Sequence, residues 1–233
     1  MMIVEAETEA SRDAESHQEM LTASQVAEHL PEMIPILEGR AQTAWAVADL
    51  EAAHARFATD RFLALPELLS AADTALVSSY YRLMDEAGWL VPTTDPERLI
   101  TGDDPIGRAL LSQFLPIVQT IVGRPIRESY TFTAEYLPGA ALPMHVDRLQ
   151  CEYTISLFLD YDPLPLGQPS PWSLDVESPL HPEILRFHQA RGEGILLKGR
   201  ELAHGRPTVL ERDRCMVIML HYVDSDFPDD QMT

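Results

Sequence analysis

Residues 136–147 read Tyr136-Leu-Pro-Gly-Ala-Ala-Leu-Pro-Met-His145-Val-Asp147 and lead into an alternating run, Tyr153-Thr-Ile-Ser-Leu-Phe-Leu159. Side chains two apart on a strand point to the same face. With 143–148 read as a strand, His145 and Asp147 face inward together and can hold one metal ion. A third ligand must come from elsewhere, and the best candidate is His204 in Gly199-Arg-Glu-Leu-Ala-His204-Gly-Arg-Pro. Two imidazoles and one carboxylate, with other coordination positions open, suit Fe(II).

Around this stretch the chain changes character. Residues 1–20 are acidic and poor in apolar side chains, which predicts a mobile tail. Residues 21–125 read as mainly helical. Ser24 is a plausible N-cap, and 42–57 has helical spacing with Trp45, Leu50 and Phe57 on one face. His29 and His54 lie in these helices and are expected at the surface. Arg61–Leu65 reads as a short strand, and 66–86 as a helix with Pro66 in its first turn and Gly88 ending it. A loop over 93–97 and a helix over 105–121, broken by Gly123, follow. From 126 to 233 the pattern is that of short strands separated by turn-formers: about 127–136, 143–148, 152–160, 172–176, 194–198, 207–210 and 214–223. One helical insert is expected over 181–190, carrying His181 and His188 as surface residues. Together these predict an α+β chain whose core is a jelly roll (double-stranded β-helix), with the preceding helices packed on one sheet to form one compact unit.

Composition narrows the function classes. The 233 residues, 45% hydrophobic, suffice for one domain with a sizeable core. The net charge of −20, from 37 acidic against 17 basic side chains, argues against nucleic acid or an anionic membrane surface as partner. It permits a cationic substrate, although a solvated acidic surface is the plainer meaning. Cys151 and Cys215 read as reduced, buried thiols. Residues 1–9 lack a basic n-region, and no stretch approaches the ~18 apolar residues of a membrane helix. The expectation is a soluble cytoplasmic protein of open oligomeric state.

The motifs also carry a resemblance. His145-Val-Asp147, then His204, then Arg214 ten positions on, resembles the 2-oxoglutarate- and Fe(II)-dependent dioxygenases, in particular the prolyl 4-hydroxylase-like group. The likeness covers about residues 128–224. It implies that His145, Asp147 and His204 ligate Fe(II), and that Arg214 pairs with the distal carboxylate of 2-oxoglutarate, with Arg212 as the fallback. It also places Tyr136 where related enzymes put a tyrosine touching the co-substrate. Arg214 shares a strand face with Met216 and Ile218, so an inward-facing Arg214 would have apolar walls. Thr154, Ser156 and Phe158 share one face of the following strand, which lines either the pocket or solvent. Arg148 and Gln150 either touch substrate or are exposed or structurally paired. The proline-rich segment 161–172, ending in Trp172, either covers the site or is a stiffened structural loop. His221 is a rival ligand but falls after the arginine, out of order. The implied reaction consumes O2 and 2-oxoglutarate, releases succinate and CO2, and hydroxylates a C–H of a small molecule, amino acid or peptide. The carboxylate of Asp147 favours that outcome, because related halogenases lack it; desaturation and ring closure remain open. A cupin-like metalloprotein of other chemistry and a non-catalytic binding protein are the competing readings.

Overall fold

The structure, a computed structural model, describes residues 47–94, 97–165 and 167–232. The tail over 1–20, Ser24, His29 and Trp45 lie outside the described residues. In chain order the elements are α1 (Val47–Asp60), β1 (Phe62–Leu65), α2 (Ala71–Glu86), β2 (Val91–Thr94), β3 (Glu97–Gly102), α3 (Pro105–Val122), β4 (Ile126–Tyr136), β5 (Leu142–His145), β6 (Tyr153–Asp162), β7 (Leu174–Val176), β8 (Leu185–Phe187), β9 (Gly194–Leu197), β10 (His204–Arg206) and β11 (Arg214–Asp224). A short 3-10 turn follows at Asp229–Gln231.

The strands form two antiparallel sheets: a large one ordered β1-β9-β6-β11-β4-β3-β2 and a small one ordered β5-β10-β7-β8. This is the expected double-stranded β-helix, with helices on one side of the large sheet. Strand β11 shows why the layers stack so. It is apolar on both faces because both are covered. Met216, Ile218, Leu220 and Tyr222 enter the core shared with Phe57 of α1, Val77 and Tyr81 of α2, and Leu110 and Phe114 of α3. Cys215 and Val217 enter a second core between the sheets, with Tyr136, Phe158 and Trp172. Each large apolar side chain so buried contributes about 1.5–3 kcal/mol. Both cysteines are free and buried. No described helix is long and apolar enough to cross a membrane.

Helix α3 is set by its ends. Asp104 is its N-cap and accepts from the backbone N–H groups of Ile106 and Gly107, both at 3.1 Å. Pro105 suits the first turn, where its missing N–H is not needed. Gly123 closes the helix at φ 80°, and the His54 ring fills the space a Cβ there would need. His54 is exposed, as expected, and its Nδ1 hydrogen-bonds the Ile121 carbonyl at 2.9 Å.

Local reading misplaced several elements. Helix α2 begins at Ala71, not at Pro66, because the Ser70 side chain caps it through the Asp73 N–H. Within the expected loop at 93–97, Thr93, Thr94 and Glu97 are strand residues instead, because β2 pairs with β3 in register Thr93↔Arg98 and Thr94↔Glu97. The expected helix over 181–190 is replaced by strand β8, which pairs with β7 and sets Leu185 and Phe187 against the inter-sheet core. Sheet pairing there outweighs weak helical spacing. The strand expected at 207–210 lies at 204–206 instead, which matters for the site.

Asp104 also accepts a hydrogen bond from the buried Tyr81 hydroxyl at 3.0 Å. Asp104→Ala removes the cap and this acceptor together. A loss of about 2–3 kcal/mol is expected, read as a fall in Tm of roughly 4–10 °C; an unchanged melt would contradict this account of α3.

Candidate metal centre

His145 ends β5 and stands directly opposite His204, the first residue of β10, across an antiparallel pair. Asp147 lies two residues past the end of β5, not within a strand. Its backbone N–H donates to the Gly199 carbonyl at 2.9 Å, which holds it beside the two rings. Nδ1 of His145 is 3.0 Å from the Pro143 carbonyl, and Nδ1 of His204 is 3.0 Å from the Leu202 carbonyl. A carbonyl only accepts, so each Nδ1 carries a proton, and in the neutral ring Nε2 presents the lone pair. Those Nε2 atoms lie 3.7 and 3.6 Å from the same Asp147 oxygen, Oδ1. Burial pushes the His204 pKa down, against the pull of Asp147, which favours the neutral ring a metal requires. Three electron-rich atoms within 4.8 Å of one another repel unless a cation sits between them. The donor set therefore fits the Fe(II) that the sequence pattern implies.

A second layer holds the carboxylate. Asp147 Oδ2 accepts from the Thr154 hydroxyl at 2.8 Å, and that hydroxyl oxygen accepts in turn from His221 Nδ1 at 3.0 Å. Burial pushes the His221 pKa down to about 4, so its ring is a neutral donor at ordinary pH. Its face lies 4.4 Å, centroid to centroid, from Tyr130. His221 therefore stands behind Asp147. Asp147, Cys151 and His221 also lie close enough to hold an ion. Burial, however, pushes the Cys151 thiol up to about 11, and the His221 Nδ1 is engaged by Thr154. Gly199 packs so closely that a Cβ there would overlap the Asp147 carboxylate.

The centre opens into a cavity of about 320 Å³ between the sheets. Tyr136, Thr154, Ser156 and the exposed Arg148 line it, as the sequence allowed. Phe158 points the same way but is buried in the inter-sheet core. Gln150 is half-buried and is not part of the wall. Trp172 does not cover the mouth. It is buried beneath the cavity, 4.8 Å from the Tyr136 ring and 4.6 Å below the Arg206 guanidinium. The loop over 161–172 is instead tied down by Arg191, which donates to the Tyr161 and Leu164 carbonyls at 2.9 Å each.

Arg214 is not at this site. The sequence placed it correctly on one face with Met216 and Ile218, but that face of β11 packs against the helices. Its guanidinium donates to Glu135 at 2.9 Å and to Asp85 of α2 at 3.1 Å. Arg212 is exposed in the turn before β11, at φ 75°. A buried arginine that does reach the cavity is Arg206, which sequence reasoning missed. It lies two residues beyond His204 on the same strand, so the rule that paired His145 with Asp147 would have found it, had β10 been placed at 204–206. Arg206 is 5% exposed. One terminal nitrogen donates to Ser156 Oγ at 2.9 Å and Gln189 Oε1 at 3.2 Å; the other is buried with no partner. Burial pushes its pKa down, yet a guanidinium stays charged.

Thr154→Val removes the hydroxyl link to Asp147 at nearly constant volume. Metal affinity is expected to fall about 10–100-fold in a calorimetric titration with Ni(II), with the fold retained by circular dichroism. Gly199→Ala is expected to cause a similar loss by displacing the carboxylate. Unchanged Ni(II) affinity in both variants would mean Asp147 is not a ligand.

No protein-family model and no curated protein sequence matches the chain. Solved structures do. The non-heme alpha-ketoglutarate-dependent epimerase SnoN from nogalamycin biosynthesis superposes with a TM-score of 0.64 at 15% identity, covering 77% of this chain and 84% of SnoN. A Pseudomonas putida prolyl-4-hydroxylase gives 0.61 at 18% identity, covering 74% and 97%. HygX from Streptomyces hygroscopicus, solved with nickel and 2-oxoglutarate bound, gives 0.61 at 16% identity, covering 80% and 90%. The chain thus has the double-stranded β-helix fold of the 2-oxoglutarate- and Fe(II)-dependent oxygenases.

Proposed function

We propose that this chain is an Fe(II)- and 2-oxoglutarate-dependent oxygenase that hydroxylates an unactivated C–H of a small molecule, amino acid or peptide, with succinate and CO2 as co-products. The observation that carries this is Arg206. A buried guanidinium with no carboxylate partner among the described residues is costly by several kcal/mol. It shares its cavity with a two-histidine, one-carboxylate constellation. A dicarboxylate bridging the two would supply the missing counter-charge.

Iron and 2-oxoglutarate, when bound, would activate O2 and supply the oxidising chemistry that no side chain can. The chain's own residues do the rest. His145, Asp147 and His204 would hold the metal, and Thr154 and His221 fix the carboxylate's orientation. Arg206, with Ser156 beside it and Tyr136 in the same wall, would clamp the distal carboxylate as a planar fork. Phe132, Leu142, Leu197 and Met219 supply apolar walls that keep water from the reacting atoms. The 47–125 segment serves this core as scaffold: β1 and the β2–β3 hairpin complete the two edges of the large sheet. A cupin-like metalloprotein without a dicarboxylate co-substrate would leave Arg206 unexplained.

Anaerobic addition of Fe(II) and then 2-oxoglutarate is expected to produce a weak visible charge-transfer band, and a wild-type protein that binds both without it would refute this reading. His145→Ala should lose metal and band together. Arg206→Ala should weaken 2-oxoglutarate about 30-fold or more while Ni(II) affinity stays within a few-fold. Arg214→Ala, by contrast, should lower Tm by uncovering Glu135 and leave 2-oxoglutarate affinity unchanged.

A further inference from the structure

The sequence is strongly acidic, and across the described residues basic side chains are mostly matched by a carboxylate. Arg61, Arg82, Arg108, Arg124, Arg127, Arg186, Arg191, Lys198, Arg200 and Arg214 each lie within 4.0 Å of one. The exceptions are Arg56, Arg98, Arg148, Arg206 and Arg212. Arg56 and Arg212 are exposed, on α1 and on the turn before β11. The other three line the same cavity, whose wall contains one carboxylate, Asp147.

The proposed ligands do not balance this charge. A divalent metal and a dianionic 2-oxoacid cancel, and Asp147 offsets one guanidinium. Two remain, in a protein whose net charge is −20. Arg98 is the more organised of the two. It sits on β3 opposite Tyr136, so both side chains face the cavity side of the sheet. Its guanidinium carbon lies 5.1 Å from the Phe132 ring centroid and 5.6 Å from that of Tyr136, and one terminal nitrogen donates to the Tyr136 hydroxyl at 3.2 Å. Its Nε is buried without a partner. Two aromatic faces and a hydroxyl thus hold a cation in place and leave donors unused. Arg148 is exposed and follows Asp147 directly, at the open side of the centre, where His145 is 39% exposed. The same cavity wall carries Phe132, Leu142, Leu197 and Met219, and Val146 is exposed at its rim.

We propose that the primary substrate is itself an organic acid: a carboxylate on a hydrocarbon body, its carboxylate held by Arg98 and drawn in by Arg148. This rests on the co-substrate assignment above, because it is Arg206 that 2-oxoglutarate would neutralise. Carboxylate recognition follows from the planar fork of a guanidinium, and the hydrocarbon body from the apolar wall.

The test uses protein loaded with Ni(II) and 2-oxoglutarate, which binds without turnover. The panel contains N-acetyl amino acids, 2-hydroxy acids, 3-arylpropanoates and medium-chain fatty acids, each paired with its primary amide. Binding is read by thermal shift and calorimetry. One or more acids are expected to bind at least about tenfold more tightly than their amides. Arg98→Gln should weaken those acids by about tenfold or more while moving 2-oxoglutarate affinity less than about threefold, and Arg98→Lys should fall between. Amides binding as well as acids, an Arg98→Gln variant with unchanged acid affinity, or no binding acid in the panel would overturn the proposal. Loss of 2-oxoglutarate affinity in Arg98→Gln would do so too, by making Arg98 part of the co-substrate clamp. If the wild-type protein binds acids through Arg98 but never binds 2-oxoglutarate, the oxygenase reading fails and the acid site stands.

Discussion

Two imidazole nitrogens aimed at one carboxylate oxygen cannot be left as they are without cost. Each ring is committed by a backbone carbonyl at Nδ1, so in its neutral form it turns an Nε2 lone pair toward Asp147. The rest of the site follows from that constraint. The β5–β10 pairing sets the two rings side by side, their planes tilted by 45° and their centroids 4.7 Å apart. Gly199 leaves room for the carboxylate, and Thr154 and His221 turn it toward the rings. A cation is the simplest occupant for such a point, and everything proposed about chemistry depends on one entering there.

The large sheet divides the protein's charges. On its helix side, Arg214 is matched by Glu135 and Asp85, and Asp160 is held between Arg82 and Arg191. Burial there pushes the Glu135 carboxyl up to about 7 even with Arg214 beside it, as expected where several acids share a crowded wall. On the cavity side, arginines lack acids. The helix side is a closed structural network, whereas the cavity side is a set of donors waiting for anions. One strand, β11, serves both through its alternation. The register shift opposite Met216 and Val217, where the β6 partner moves from Asp160 to Phe158, keeps Asp160 among the helices while Phe158 stays in the inter-sheet core.

What the sequence by itself determined is which two histidines and carboxylate come together, the long helix from Pro105 that Gly123 ends, and the succession of strands that closes into two sheets. Spacing, turn residues and side-chain chemistry are local, and each of these features is written locally. The tertiary structure alone decided which face of a doubly covered strand is inside. Alternation says that Arg214, Met216 and Ile218 share a face; it cannot say which face, when apolar residues line both. It was pairing between distant strands that put Arg206 in the cavity and Arg214 among the helices, turned 185–187 into an edge strand, and buried Trp172 under a guanidinium. A period of two fixes relative direction, and only packing against a partner layer fixes absolute direction.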